Sequence, residues 1–271
     1  MSDQSVDKAA TVAALRRRLT QMSGGTDPSR TSQTGSVDGE RSTVLAVPTP
    51  IADLLPRRGL VPGSVVAVSG AMTLPVALLA AASAAGATAA VVGLPELNLA
   101  MAADLGADLG RIAVVESPVA DSAVESSAGR SSTAWDRLEA AAVLLDGIDL
   151  VLVGIDRVTP SRARVLAGRA RRQSATLLVL GPPGVWPGAS VRLSAQVVGY
   201  RHLPLRRNGY GRIGGLQVDV EAAGTGIAPR RLRCELVTPS IGDAGSLRLQ
   251  SVEPARRRSA VSARDRWAVA N

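Results

Sequence analysis

Residues 65–79 decide how this chain folds: Val65-Val66-Ala67-Val68-Ser69-Gly70-Ala71-Met72-Thr73-Leu74-Pro75-Val76-Ala77-Leu78-Leu79. The stretch predicts a buried strand, a turn and an apolar helix, which is where nucleotide-binding α/β domains carry G-x-x-x-x-G-K-[ST]. Only the first glycine of that motif is present, no lysine follows it, and Pro75 stands where backbone N–H groups should meet an anion. We therefore expect a degenerate phosphate loop that binds no cofactor, at Gly70, Ala71, Met72 and Thr73.

After residue 44, short β-branched runs alternate with stretches rich in Ala and Leu, which is typical of βαβ units around a parallel sheet. Strands are predicted at 65–69, 89–93, 112–116, 150–154 and 176–180, and helices near 75–85, 97–105, 134–145 and 161–171. Further strands at 196–200, 216–221 and 231–237 are separated only by turns. The pattern predicts a three-layer α/β fold with a mostly parallel sheet, a C-terminal antiparallel extension and flexible termini.

The composition excludes several classes of protein. The chain has 271 residues, is 46% hydrophobic and 20% charged, and contains no Phe, which suits one domain with an aliphatic core. Cys234 is the only cysteine and His202 the only histidine. A disulfide framework, a His or Cys metal cluster and a Ser-His-Asp triad are therefore not expected.

The chain divides into four segments. Residues 1–22 have the pattern of an amphipathic helix, and residues 23–43 form a polar stretch that predicts a flexible linker. Residues 44–238 are the predicted globular domain, and residues 239–271 are a polar and basic segment that predicts a mobile tail. We expect a cytoplasmic protein, because no apolar signal segment or regular membrane span is found.

Positive charge is concentrated in the second half of the chain. Residues 1–156 contain 11 basic and 17 acidic residues, whereas residues 157–271 contain 20 basic and 6 acidic residues. Such an asymmetry favours a polyanion or an acidic protein as the partner, with a solvated arginine-rich surface as the alternative.

Asp146 and Asp149 flank Gly147 between a predicted helix and strand, and we interpret them as turn residues.

Two basic segments are candidate binding sites. The segment 200–212 predicts a hairpin loop whose arginines could neutralise phosphates and whose two tyrosines could stack on bases, with a solvated turn or a protein-binding loop as the alternatives. Its candidate residues are Arg201, Arg206, Arg207, Tyr210 and Arg212. The tail offers a second set with one apolar anchor, namely Arg256, Arg257, Arg258, Arg264, Arg266 and Trp267.

Three fragments resemble the core of the RecA recombinase family, over about residues 45–238. The first is Leu55-Pro56-Arg57-Arg58-Gly59-Leu60-Val61-Pro62-Gly63-Ser64 before the first strand. The second runs from Pro95-Glu96-Leu97 to Leu105-Gly106-Ala107-Asp108, and the third joins Leu216-Gln217-Val218-Asp219-Val220 to Ile227-Ala228-Pro229-Arg230. Their shared order implies the RecA fold rather than an activity.

The departures from that family are as informative as the matches. The strand at 150–154 ends in Gly154 where the resemblance implies the Walker-B aspartate, and Asp156 lies two residues later. Glu96 stands where the family keeps the glutamate that activates water, and we expect it to act as a helix-start carboxylate. The resemblance also implies that both DNA loops are shortened, to residues 156–160 and 182–188, and that Gly181-Pro182 replaces the nucleotide-sensing pair.

A RecA-like core with degenerate nucleotide motifs and an arginine-rich tail is similar to the actinobacterial mutasome accessory proteins of the ImuA type. This resemblance implies a non-catalytic adaptor in damage-induced mutagenesis. Its partners would be an inactive Y-family-like polymerase subunit and, indirectly, an error-prone replicative-type polymerase, with DNA as a further candidate. The alternatives are a division inhibitor of the SulA type acting on a tubulin-like protein, a nucleic-acid-binding accessory factor, and a functioning recombinase.

Overall fold

The computed structural model describes residues 44–115, 129–202, 213–237 and 247–252. The amphipathic helix predicted at 1–22 and the linker predicted at 23–43 lie outside these residues. So do the loop 203–212 and most of the predicted tail.

One sheet of nine strands organises the described residues, in the order β3-β2-β4-β5-β1-β6-β7-β8-β9. The strands are β1 Val65–Gly70, β2 Ala89–Val92, β3 Ile112–Val115, β4 Leu150–Gly154, β5 Thr176–Leu180, β6 Val191–His202, β7 Ile213–Gly224, β8 Ile227–Val237 and β9 Arg248–Ser251. The first six strands pair in parallel, and β6 to β9 pair antiparallel. The predicted fold class is confirmed.

Helices cover both faces of the parallel part. They are α1 Thr49–Ala52, α2 Thr73–Ala84, α3 Leu99–Asp104, α4 Gly129–Leu144 and α5 Pro160–Gln173, with a single 3-10 turn at Leu109–Arg111. Alternate residues of one strand enter different cores: Val66 and Val68 join α1, α2 and α3, whereas Val65 and Ala67 join α4 and α5. The central strands are therefore buried on both sides, as their unbroken apolar runs predicted.

The antiparallel strands are longer than predicted. β6 begins at Val191, well before the apolar run, because its first residues pair with β1, from Val66↔Val191 to Gly70↔Ala195. β7 continues to Gly224 because it pairs with the whole of β6 apart from its bulges. These extensions carry polar residues on one face, and the pairing partners that fix them are far away in the sequence.

The prediction of a mobile tail from residue 239 is wrong for β9. Residues 248–251 pair with β8 from Cys234↔Ser251 to Val237↔Arg248, and Val252 N donates to Arg233 O at 2.9 Å. Leu249 packs against the core cluster that contains α1, α2 and α3. A strand of four residues with three polar ones has almost no sequence signal, so its pairing could not be predicted.

Each described helix is either too short or too polar to span a bilayer.

The turn between α4 and β4 is held by two aspartates, as predicted. Asp149 accepts hydrogen bonds from Thr88 N at 2.8 Å and Thr88 Oγ1 at 2.7 Å, which ties the start of β4 to the start of β2. Asp146 forms a bidentate ion pair with Arg169 of α5, and this pair raises the pKa of the guanidinium.

Candidate functional site

A cleft of about 320 Å³ opens at the carboxyl ends of β1, β2, β4 and β5. In open α/β sheets, ligands bind in this position, outside the carboxyl ends of the parallel strands. The predicted phosphate loop, the glycine in place of the Walker-B aspartate and Glu96 all line this cleft, through Gly70, Met72, Gly154 and Glu96. The structure therefore brings together the positions at which a nucleotide site was expected to be degenerate.

The connection from β1 to α2 is closed onto the neighbouring strand. It consists of Ala71 and Met72 alone, since β1 ends at Gly70 and the helix begins at Thr73. Ala71 N donates to Ala195 O of β6 at 2.8 Å, and Gly70 has a φ of +88°. A Cβ atom at Gly70 would collide with Ala195 O. The amide that follows the glycine is used to bind the sheet, and the two-residue connection leaves no loop that could wrap a phosphate.

The N-terminus of α2 is also poorly suited to an anion. Pro75 lies in the first turn and has no N–H to donate. Leu74 N donates to Ala71 O and Val76 N donates to Met72 O, both at 3.2 Å. Leu74 and Pro75 are both buried, and Pro75 and Met72 line the cleft, so this part of its wall is apolar.

Each of the four central strands is followed or ended by a glycine at this edge, and protein atoms occupy the space beside each one. A Cβ at Gly154 would approach Leu94 Cδ2 at 2.5 Å, one at Gly181 would collide with Ile155 O, and one at Gly93 would meet Arg137 Cδ at 2.5 Å. These glycines therefore allow the chain to pack against itself. Their role here is close internal packing, unlike the glycines of a phosphate loop, which let a backbone approach a ligand.

Arg137 of α4 is the residue that the sequence analysis missed. Its Nη1 donates to Gly154 O at 3.4 Å, and its Nε is buried without a hydrogen-bond partner among the described residues. The guanidinium thus lies beside the end of β4, where a Walker-B aspartate would hold magnesium. No local motif announces this contact, because it joins residues from a helix and a strand that are 17 positions apart.

The cleft contains two exposed carboxylates, Glu96 and Asp156. Among the described residues, no group of three or more His, Cys, Asp or Glu side chains could hold a metal ion. A cation would thus have two carboxylates at most, with the positive charge of Arg137 in the same cleft.

Glu96 is not the residue that caps α3, and the prediction of a helix-start carboxylate is wrong. It lies in the turn before the helix, and the cap is Asn98, whose side chain accepts a hydrogen bond from Met101 N at 2.9 Å. Asparagine is a strong N-cap because its side-chain oxygen satisfies an amide of the first turn. Glu96 is left exposed on the rim of the cleft.

The two shortened loops differ in their exposure. The β4–α5 connection at 155–159 carries Asp156 and Arg157 on the surface, and Pro160 starts α5. The β5–β6 connection is anchored in the core by Trp186, which is 2% exposed and packs with Val185, whereas residues 182–184 of the same connection are exposed. An indole in that position fills the hydrophobic core and cannot stack on a base.

The antiparallel strands carry a row of ion pairs on their polar face. Arg201, the one candidate of its set among the described residues, donates from Nε to Glu235 Oε1 at 2.6 Å and from Nη2 to Gly214 O at 2.9 Å. Arg233 pairs with Asp219, and Arg231 pairs with Glu221. Arg201 is thus part of the hairpin itself. The other candidates, Arg206, Arg207, Tyr210, Arg212 and those of the tail from Arg256 to Trp267, lie outside the described residues.

The segment of the chain that matches a known family is the segment that forms the cleft. Residues 53–188 match the MT3502 N-terminal domain. The chain belongs to the MT3502 family. The matched segment contains β1 to β5 and the helices around them, which is the part of the fold that forms the cleft, and it ends before β6.

A relative in Mycobacterium tuberculosis shares this part of the sequence and more. The uncharacterized protein Rv3395c of strain H37Rv is 40% identical over 185 residues, which cover 65% of this chain and 82% of that protein.

Proposed function

We propose that this protein is a non-catalytic RecA-fold adaptor in damage-induced translesion mutagenesis, and that it acts in the cytoplasm. Its direct partner would be an inactive Y-family-like polymerase subunit, bound through the basic C-terminal region. That subunit would in turn work with an error-prone replicative-type polymerase. The kinship with mutasome accessory proteins of the ImuA type is part of this proposal.

The observation that carries the proposal is the closure of the β1–α2 connection on β6. A strand order in which β1 lies between β5 and β6 fits a RecA-like core, in which the loop after β1 would hold the phosphates. Here the Ala71 amide is bound to Ala195 O, and the connection has two residues. A fold of this kind without its phosphate loop serves better as a scaffold than as an ATPase.

The contents of the cleft support the same conclusion. Arg137 lies beside the end of β4, and Leu94 occupies the space next to Gly154. A bound nucleotide would need these side chains to move, and its magnesium would meet a guanidinium. Isothermal titration with magnesium ATP should give no binding in the micromolar range; micromolar, magnesium-dependent binding would reject the non-catalytic part of the proposal.

The partner contacts are assigned to the loop 203–212 and to the tail after residue 252. Three of the six arginines on the described antiparallel strands, Arg201, Arg231 and Arg233, form internal ion pairs. Pairing of this kind leaves little charge for a partner. We assign the contact with an acidic surface or DNA to the arginines of the loop and tail, with Trp267 as an apolar anchor.

The structure determines where the tail should be cut. Removing residues 239–271 would also remove β9, including Leu249, which packs against the core, so that lost binding could reflect a damaged core. A chain ending at Val252 keeps β9 and its hydrogen bond to Arg233 O. Tagged full-length and shortened chains should be used to capture partners from DNA-damaged cells, with thermal unfolding as the check on the core.

We expect the full-length chain to recover a Y-family-like subunit with an error-prone polymerase, and the chain ending at Val252 to lose both without a change in Tm. Arg248→Gln is the matched control, because Arg248 is an exposed arginine of β9 outside the tail. Unchanged capture by the shortened chain would remove the tail from the interface. Recovery of a tubulin-like protein in place of the polymerase subunit would replace the adaptor by a division inhibitor.

A further inference from the structure

Helix α5 carries the densest positive charge of the described chain. Five of its 14 residues are arginines, and none is acidic. They form two groups: two arginines that form ion pairs with neighbouring parts of the fold, and three that form none within the described residues.

On the flank of α5 that faces α4, the arginines form ion pairs with acidic residues. Arg169 forms its bidentate pair with Asp146, and Arg162 Nη2 lies 3.9 Å from Glu139 of α4. These two arginines join neighbouring parts of the fold. The face toward the sheet is apolar, through Ala163, Leu166 and Ala170.

The remaining surface of α5 is exposed and carries three further arginines. Arg164, Arg171 and Arg172 are exposed, and within the described ranges none of them forms an ion pair. Arg164 and Arg171 are seven residues apart, which places them on the same side of the helix about 10 Å apart along its axis. Gly168 lies between them in sequence, and a Cβ there would lie 3.7 Å from Arg172 Nη1.

Helix stability accounts for only part of this arrangement. Arg171 and Arg172 lie in the last turn, where positive charge interacts favourably with the helix dipole. Arg164 is in the first half of the helix and gains nothing from that interaction. The hairpin arginines show the contrast, since Arg231 and Arg233 are each paired with an acidic residue on the adjacent strand.

We infer that the exposed face of α5, formed by Arg164, Arg171 and Arg172, is a binding surface for the phosphodiester backbone of nucleic acid. Guanidinium groups form bidentate hydrogen bonds with phosphate and stay charged at all physiological pH values. Val165, 67% exposed, is the one large apolar side chain on this face, and the helix has no aromatic residue. A protein interface would have an apolar or aromatic centre, and base recognition would need a stacking or hydrogen-bonding side chain.

The inference goes beyond the proposed function, since it concerns a different surface from the loop and tail. It implies that binding of nucleic acid to α5 does not depend on the base sequence, and that its affinity falls strongly with salt concentration. Each phosphate contact releases condensed counterions and adds ~0.9 to the slope of log K against log salt on duplex DNA. Three arginines therefore account for a slope of about 2.7.

The test is fluorescence anisotropy of a labelled 20-base-pair duplex with the full-length chain, over 50 to 300 mM NaCl. The variant replaces Arg164, Arg171 and Arg172 by Gln. A matched control replaces Arg57, Arg192 and Arg248 by Gln, because these three arginines are also exposed and lie outside α5. The two variants lose the same charge, so a general electrostatic effect would weaken both equally.

We expect the α5 variant to lower the salt slope by about 2 to 3, with much smaller changes in the control. Arg164→Gln alone should lower the slope by ~0.9, and it remains usable if the triple variant unfolds. Equal losses in both triple variants, or no loss in either, would overturn the inference. A labelled poly-glutamate peptide tests the other partner class: loss of peptide binding with unchanged duplex binding would reassign the face to an acidic protein.

Discussion

Arg137 occupies the space that a side chain on Gly93 would need: a Cβ there would lie 2.5 Å from both its Cδ and its Nε. Gly93 follows β2 and has a φ of +60°, a conformation that residues with a Cβ rarely adopt. The glycine at the end of β2 and the arginine of α4 therefore form one packing unit. Through Nη1, the same arginine reaches the end of β4.

This relationship predicts that Gly93→Ala destabilises the fold by roughly 2 to 4 kcal/mol, from backbone strain together with the clash. Gly188→Ala is the control, because Gly188 has a φ of +75° with nothing within 4 Å of its Cβ position. It should show only the strain, about 1 kcal/mol. The measurement is urea unfolding. Adding Arg137→Ala should recover part of the loss in the Gly93 variant and none in the control; strict additivity would disprove the packing unit.

Trp186 should behave as a core residue. Trp186→Ala is expected to lower the unfolding free energy by about 3 to 5 kcal/mol, since it leaves a large cavity beneath the sheet. Pro183→Ala, at an exposed position of the same connection, should have little effect. Thermal unfolding followed by circular dichroism gives the stability. If instead Trp186→Ala weakened DNA binding and left stability unchanged, the connection would act as a DNA loop.

The parallel core could be predicted from sequence because its signal is local. The runs at 150–154 and 176–180 form strands with those bounds, since a strand buried on both faces must be apolar along its whole length. The apolar helix after β1 was predicted to within two residues, because its continuous run of small and aliphatic residues is also a local signal.

The candidate site was only partly predictable, because its decisive contacts join distant residues. The missing motif at Gly70 could be seen in the sequence, but its closure by Ala195 depends on the pairing of β1 with β6. The contact from Arg137 to Gly154 O could not be predicted, because no sequence spacing is typical of a contact between a helix side chain and the end of a strand. Glu96 was misassigned because Asn98, two residues later, satisfies the helix amide, and a capping residue is identified only by its geometry.

Cys234 should resist thiol reagents in the folded protein. Its side chain is fully buried in β8, and this burial, with a contribution from Asp219, raises the pKa of the thiol from 9.0 to about 11. An Ellman reaction at pH 8 should be slow in buffer and fast in urea. Rapid labelling of the folded protein would show that β8 opens to solvent.

The same pKa shift predicts a loss of stability in alkali. The folded state keeps the thiol proton above pH 9, whereas the unfolded state releases it, so stability falls as the pH rises from 9.0 to about 11. The loss should be on the order of 2 kcal/mol, at ~1.4 kcal/mol for each pH unit. It is measured as the difference in unfolding free energy between wild type and Cys234→Ala. A difference that stays constant over this range would contradict the prediction.

Asp219 predicts the opposite dependence, at acid pH. It accepts hydrogen bonds from Arg233 Nε at 2.6 Å and Nη2 at 2.9 Å, and this pair lowers the pKa of the carboxyl below 3.8. Because the folded pKa lies below the unfolded one, the stabilisation is complete above the unfolded value and is lost as the pH falls through the folded value. Asp219→Asn should therefore lower the urea midpoint at pH 7, and the difference from wild type should shrink below pH 4.

A double-mutant cycle separates this ion pair from other effects of the substitution. Arg233→Gln should lower the midpoint at pH 7, and the combined variant should lose less than the sum of the two single losses, since each single change already breaks the pair. At pH 3 the non-additivity should be smaller, because protonation of Asp219 weakens the pair in the wild type. Additive losses at pH 7 would mean that β7 and β8 are held by backbone pairing and core packing alone, without a contribution from their polar face.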